Sequence, residues 1–222
     1  MKRKFFAKTV RILTPATAIF GVLLSLLCAV TEGYSHWSKR LLYFTAQSNL
    51  WIGGVFLFLL FLPRFRLSPY AVRRVYLWKY VFTVSITLTG LIFCFLLAPF
   101  SDESYTPWTV CNLLTHVVTP LLAILDYSLD RYPLKLKIAE IFLPVVPPLC
   151  YLLFAGVLGG LNADFGRGVT YPYFFLNFRS PARFFGFSRI RPFYLGSFYW
   201  IFLFLLLVLF LSYLYAKFRP HK

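Results

Sequence analysis

One of the chain's three histidines, His116, lies inside a long apolar run, in the segment Cys-Asn-Leu-Leu-Thr-His-Val-Val-Thr-Pro from Cys111 to Pro120. An ionisable ring in hydrocarbon costs free energy unless it faces protein or a wet cavity, so it reads first as a functional site. Asn112 lies four residues before it and Thr109 seven before, spacings that put all three on one face of a helix. A second polar set, Thr45, Ser48 and Asn49, stands at i, i+3 and i+4 in the stretch Tyr-Phe-Thr-Ala-Gln-Ser-Asn-Leu and shares a face of another helix.

These residue types could carry out acyl transfer together. A neutral imidazole within hydrogen-bond reach of a hydroxyl takes its proton as the oxygen attacks a carbonyl, then returns it to the leaving group. Thr45 is one candidate nucleophile and Ser48 the other, with His116 as base. Asn49, Asn112 or Gln47 could offer an amide N–H to a developing oxyanion, and the surrounding Phe and Leu side chains would accept acyl chains. The chain has no Gly-x-Ser-x-Gly elbow. Two other readings compete. His116 paired with Asn112 could be packing, with the small polar residues as glue between helices, and an intramembrane His also suits a carrier or proton pathway.

The elements that must position these groups follow from composition. Of 222 residues, 59% are hydrophobic and 14% charged, and the mean hydropathy is +0.71, whereas a soluble domain carries about a quarter charged residues. This is the composition of an integral membrane protein. The net charge of +16 does not point to nucleic acid, because Lys and Arg are confined to short segments between apolar stretches, as in cytoplasmic anchoring. Cys28, Cys94, Cys111 and Cys150 all fall in apolar stretches without zinc-like spacing and read as small buried residues, so neither a metal nor another cofactor is expected.

Hydropathy predicts six spans, at about 12–30, 41–62, 75–99, 107–129, 136–158 and 193–215. The first is too long for a signal peptide's apolar region and lacks a small-x-small site before Glu32, so it is read as a span. Arg64, Arg66, Arg73, Arg74 and Lys79 are assigned to the second loop. Asp102 and Glu103 make the third loop acidic, and Asp126 and Asp130 are placed at the interface among Arg131, Lys135 and Lys137. Pro144, Pro147 and Pro148 should break the fifth span, with the opened carbonyls facing protein or water. The long loop 159–192, rich in aromatics that include Tyr171 and Tyr173, is expected to lie on the membrane surface or fold back as a lid.

The chain is therefore expected to be all-α, a polytopic membrane protein with residues 1–222 as one six-helix transmembrane domain. Most of the 23 basic residues fall in the amino end, the second and fourth loops and the carboxyl end, which predicts both termini cytoplasmic. The second and fourth spans then descend from the same side, so Thr45 and His116 can share a pocket in the outer half of the bilayer.

The Tyr-Phe-Thr-Ala-Gln-Ser-Asn-Leu opening, Asn112 followed by His116 and Pro120, and Tyr171-Pro172 resemble landmarks of the six-helix family that contains the androgen-induced and androgen-dependent TFPI-regulating membrane proteins, most nearly its bacterial branch. Animal members are threonine-dependent hydrolases of fatty acid esters of hydroxy fatty acids. The resemblance implies Thr45 as nucleophile, His116 as its partner, a fatty-acyl ester as substrate and a bacterial plasma membrane as location. The alternative is a non-enzymatic carrier or partner-binding bundle in which Thr45 and His116 are structural. Membrane lipids are the expected partners in either case, and the oligomeric state is open.

Overall fold

The computed structural model describes residues 2–100, 106–130, 132 and 134–218. Asp102, Glu103, Arg131, Arg219 and Lys222 lie outside the described residues. Among the described residues, six helices are long and apolar enough to cross a membrane: α1 (Arg3–Cys28), α2 (Phe44–Arg64), α3 (Pro69–Leu97), α4 (Val110–Leu129), α5 (Ile138–Gly160) and α6 (Ser197–Lys217). The described residues form no β-strand, only an isolated bridge between Phe187 and Leu195.

The helices α1 to α4 pack as a ring of neighbours, with α1 on α2, α2 on α3, α3 on α4 and α4 back on α1, while α5 and α6 flank α3. Within the most apolar window of α3, 67% of residues are buried, against 22% in α5 and in α6, so α3 is the central helix. Ile52, Phe56, Ile86, Ala18 and Ala123 fill the space inside the ring. Tyr80, Val84, Leu88, Tyr151, Phe175 and Val208 extend the core toward α5 and α6. Large apolar side chains such as Phe20, Leu27, Phe95, Leu153 and Phe210 point outward, the arrangement that a hydrocarbon solvent requires.

Helix ends differ from the hydropathy reading because cap chemistry sets them. Ser68 accepts from the Ala71 N–H at 3.2 Å and Pro69 takes the first turn, so α3 begins before the hydropathy rises. Arg73, Arg74 and Lys79 are consequently helical rather than loop residues, and Lys79 is only 1% exposed. Thr109, not Pro107, opens the fourth helix, and its side chain accepts from the Asn112 N–H. The prolines of α5 do break it. A 3-10 turn at Leu143–Val145 separates Ile138–Ile141 from Val146–Gly160, and the freed Ile141 carbonyl accepts from the Ser212 hydroxyl of α6.

Asp126 and Asp130, expected at the interface among Arg131, Lys135 and Lys137, lie instead inside the bundle. Both are buried, and they bond Lys79 of α3 and Arg11 of α1, with Arg11 Nε at 3.1 Å from Asp126 Oδ1. Charges at this depth require partners, and the cations reach them from the neighbouring helices rather than from the adjoining loop. The long loop returns to the bundle, burying Phe165, Phe175 and Leu176. Tyr173 comes with them to the amino end of α2.

Candidate active site

Thr45 stands at the second position of α2, and Tyr43, in extended backbone just before the helix, fixes where that helix starts. His116 sits in a π-turn, Leu114–Val118, within α4, and α3 has its own π-turn at Phe93–Leu97. A π-turn inserts one residue and rotates the side chains beyond it, which is why such turns recur at functional sites. Glycines let the neighbouring helices approach this widened segment. A Cβ on Gly90 would meet the His116 carbonyl oxygen at 2.9 Å, and one on Gly21 would meet Thr115 Cγ2 at 2.8 Å.

The result is a direct contact across two helices, with Thr45 Oγ1 3.0 Å from His116 Nε2. The other ring nitrogen decides the proton. Nδ1 lies 3.1 Å from the Asn112 carbonyl oxygen and 3.0 Å from Thr115 Oγ1. A carbonyl only accepts, and the Thr115 hydroxyl already donates to the Cys111 carbonyl at 2.8 Å. Nδ1 therefore carries the hydrogen, and Nε2 of the neutral ring holds the lone pair that receives the Thr45 hydroxyl. Phe93 stacks on the imidazole at 4.0 Å with a 24° tilt and fixes its plane.

The remaining sequence candidates are turned elsewhere. Ser48 Oγ faces α3, 2.9 Å from Thr89 Oγ1, and donates to the Thr45 carbonyl at 3.2 Å. Asn49 Nδ2 gives its hydrogens to the carbonyls of Thr45 and Thr115, at 2.8 and 3.0 Å, and so ties α2 to the π-turn of α4. Gln47 donates to the Leu41 carbonyl at 3.2 Å, and Asn112 Nδ2 to the Pro107 carbonyl at 2.9 Å. The spacing of Asn112 does put it beside His116, but it is the backbone carbonyl that meets the ring. Thr109 is a cap and does not join the contact.

Sequence reasoning gave no role to Tyr173, Thr115 or Phe93. Tyr173 is half-buried and packs against Tyr43, Tyr151 and Phe175, and its hydroxyl lies 3.3 Å from the Thr45 nitrogen and 3.4 Å from Thr45 Oγ1. Burial pushes the phenol up to about 12, against opposing hydrogen bonds from Thr45. The density of aromatics in its loop was the available signal.

A cavity of about 740 Å³ opens onto Thr45, His116 and Tyr173 and is also lined by Arg40, Arg167 and Arg191. Arg40 pairs with Glu32 and lies over the Tyr34 ring, and Arg167 lies over the same ring. Thr45 also lines an apolar cavity of about 80 Å³ bounded by Leu88, Leu152, Phe204 and Tyr173. Among the described residues no group of His, Cys, Asp and Glu is placed to hold a metal ion. The arrangement can move the Thr45 proton onto His116 where two cavities border Thr45, the larger of mixed lining with three arginines and the smaller almost wholly apolar. Comparisons with family models, with curated proteins and with solved structures return no match for this chain.

Proposed function

We propose that this protein is an integral membrane hydrolase of a lipid ester, with Thr45 as nucleophile and His116 as general base and then general acid. The observation that carries this reading is the 3.0 Å contact between Thr45 Oγ1 and His116 Nε2, the ring nitrogen left to accept when Nδ1 donates to the Asn112 carbonyl. The same contact favours Thr45 over Ser48, whose hydroxyl is engaged with Thr89.

The chemistry balances with water as the only co-reactant. Thr45 Oγ1 bonds the ester carbonyl carbon as its proton passes to His116 Nε2. Collapse of the tetrahedral species breaks the carbon–oxygen bond to the alcohol, which leaves with that proton. Water then adds to the acyl-threonine with His116 again as base, and the fatty acid departs as Thr45 regains its proton. An acyl chain would lie along the apolar cavity and the remainder of the substrate in the larger one, an amphipathic division that suits a substrate drawn from the bilayer. The resemblance to the threonine-dependent six-helix hydrolases points the same way, and a fatty-acyl ester is the substrate class that follows.

The distribution of basic residues supports an orientation with both termini in the cytoplasm, which puts the site toward the outer leaflet of what we take to be a bacterial plasma membrane. The test is turnover of a long-chain acyl ester, p-nitrophenyl palmitate, by purified protein in detergent. Wild type should cleave it, Thr45→Ala should abolish cleavage, His116→Ala should lower it by about 100-fold or more, and Ser48→Ala should retain it. Cleavage by Thr45→Ala at the wild-type rate would remove the assignment. Absence of any turnover or fluorophosphonate labelling in the wild type would favour a carrier or partner-binding bundle.

A further inference from the structure

Acyl transfer at Thr45 needs a donor for the charge that gathers on the carbonyl oxygen, and the side-chain amides of Gln47, Asn49 and Asn112 are aimed at backbone carbonyls instead. We propose that Tyr173, carried into the bundle by the returning loop, is this donor, its phenol O–H shifting from the Thr45 hydroxyl to the ester carbonyl oxygen as substrate arrives. The inference rests on the hydrolase reading above and adds a third catalytic residue to it.

The hydrogen-bond directions require this order. The Thr45 backbone N–H points at the phenol oxygen at 3.3 Å, so the phenol accepts there and keeps its own hydrogen to give. The Thr45 hydroxyl has placed its hydrogen on His116, so toward Tyr173 it can only accept. That second bond is long, at 3.4 Å, and is given up cheaply. A carbonyl carbon attacked by Thr45 Oγ1 brings its oxygen into the space that the same O–H can reach. Accepting the Thr45 N–H polarises the phenol and strengthens it as a donor.

The ring is held for this task. It stacks on Phe175 at 5.1 Å and 11° and meets Tyr43 edge-on at 5.6 Å, so its position does not depend on substrate. With the phenol pushed up to about 12 by burial, it keeps its hydrogen throughout the ordinary pH range. In the step itself, Thr45 Oγ1 gains the carbon, His116 gains the proton, and the carbonyl π pair moves to the oxygen that Tyr173 bonds. The phenol hydrogen stays on Tyr173 throughout and is released from the bond when the carbonyl re-forms.

The experiment is Tyr173→Phe in the full chain, with p-nitrophenyl palmitate as probe and thermal unfolding as the folding control. Loss of one oxyanion donor lowers kcat roughly 100- to 1,000-fold, with KM and the unfolding midpoint close to wild type. A second measurement replaces Tyr173 with 3,5-difluorotyrosine, which acidifies the phenol with little change of shape. The kcat profile should then gain an alkaline limb that wild type lacks, a response a merely structural ring would not give. Wild-type turnover with an undiminished kcat in Tyr173→Phe and no new limb overturns the role of Tyr173 and leaves the Thr45–His116 reading standing. No turnover in the wild type overturns both.

Discussion

The two ends of α4 both bury polar groups, and they satisfy them differently. At one end Asp126 and Asp130 meet Lys79 and Arg11, two negative charges against two positive ones, brought together from α1, α3 and α4. At the other end a neutral ring meets one hydroxyl at 3.0 Å beside a cavity of about 740 Å³. The first cluster is saturated: each carboxylate has cations and each cation has carboxylates, so it joins three helices in one register. The second keeps a lone pair, a transferable proton and room for another molecule. A buried polar group among apolar helices therefore has two readings, and the presence of space beside it separates them.

Substitutions at the two ends should separate activity from stability. Thr45→Ala should remove turnover altogether, and His116→Ala should reduce it by about 100- to 10,000-fold; in both, thermal unfolding in detergent should stay close to wild type. Lys79→Met should do the reverse. It leaves Asp126 and Asp130 sharing the single charge of Arg11 and should cost about 3–5 kcal/mol of stability, while the folded fraction turns over ester at the wild-type rate per molecule. A Lys79→Met protein that unfolds as wild type does but has lost activity would break the division between the two ends.

Smaller effects sharpen the comparison. Ser48→Ala removes a hydroxyl engaged with Thr89 and the Thr45 carbonyl, and should change kcat by about threefold or less while lowering stability by about 1 kcal/mol. Protons should act on the ionic end as well. Burial disfavours the Asp130 charge, but Lys79 and Arg11 outweigh it and hold the carboxyl below its ordinary value. A depressed carboxylate contributes stability that is fully present above the unfolded-state value of about 4 and is lost as pH falls through the lower folded value. The unfolding midpoint should thus fall below about pH 4, and Asp130→Asn should flatten that slope.

Much of this was legible in the sequence. Apolar runs revealed the six helices, and the positions of Thr45 and His116 on two helices entering from one side allowed them to meet. What hydropathy could not give was hidden in local backbone and in long-range pairing. The Ser68 and Thr109 caps moved helix starts by several residues. The π-turn at Leu114–Val118 that holds His116 leaves no mark on hydropathy. Lys79 was read as a loop residue and Asp126 as interfacial, and only the packing of α1, α3 and α4 shows that they neutralise one another. Tyr173 lies 128 residues from Thr45, a separation over which no local pattern in the sequence operates.

In the proposed reaction the Thr45 oxygen becomes covalently acylated, or phosphonylated by an inhibitor, with the help of His116. The most direct measurement is intact-mass and peptide mass spectrometry of the purified protein after treatment with a long-chain alkyl fluorophosphonate. One adduct per chain is expected, carried on the peptide containing Thr45, absent in Thr45→Ala and strongly slowed in His116→Ala. An adduct on Ser48 or on another residue, or an unmodified wild-type protein that nevertheless cleaves ester, would contradict it.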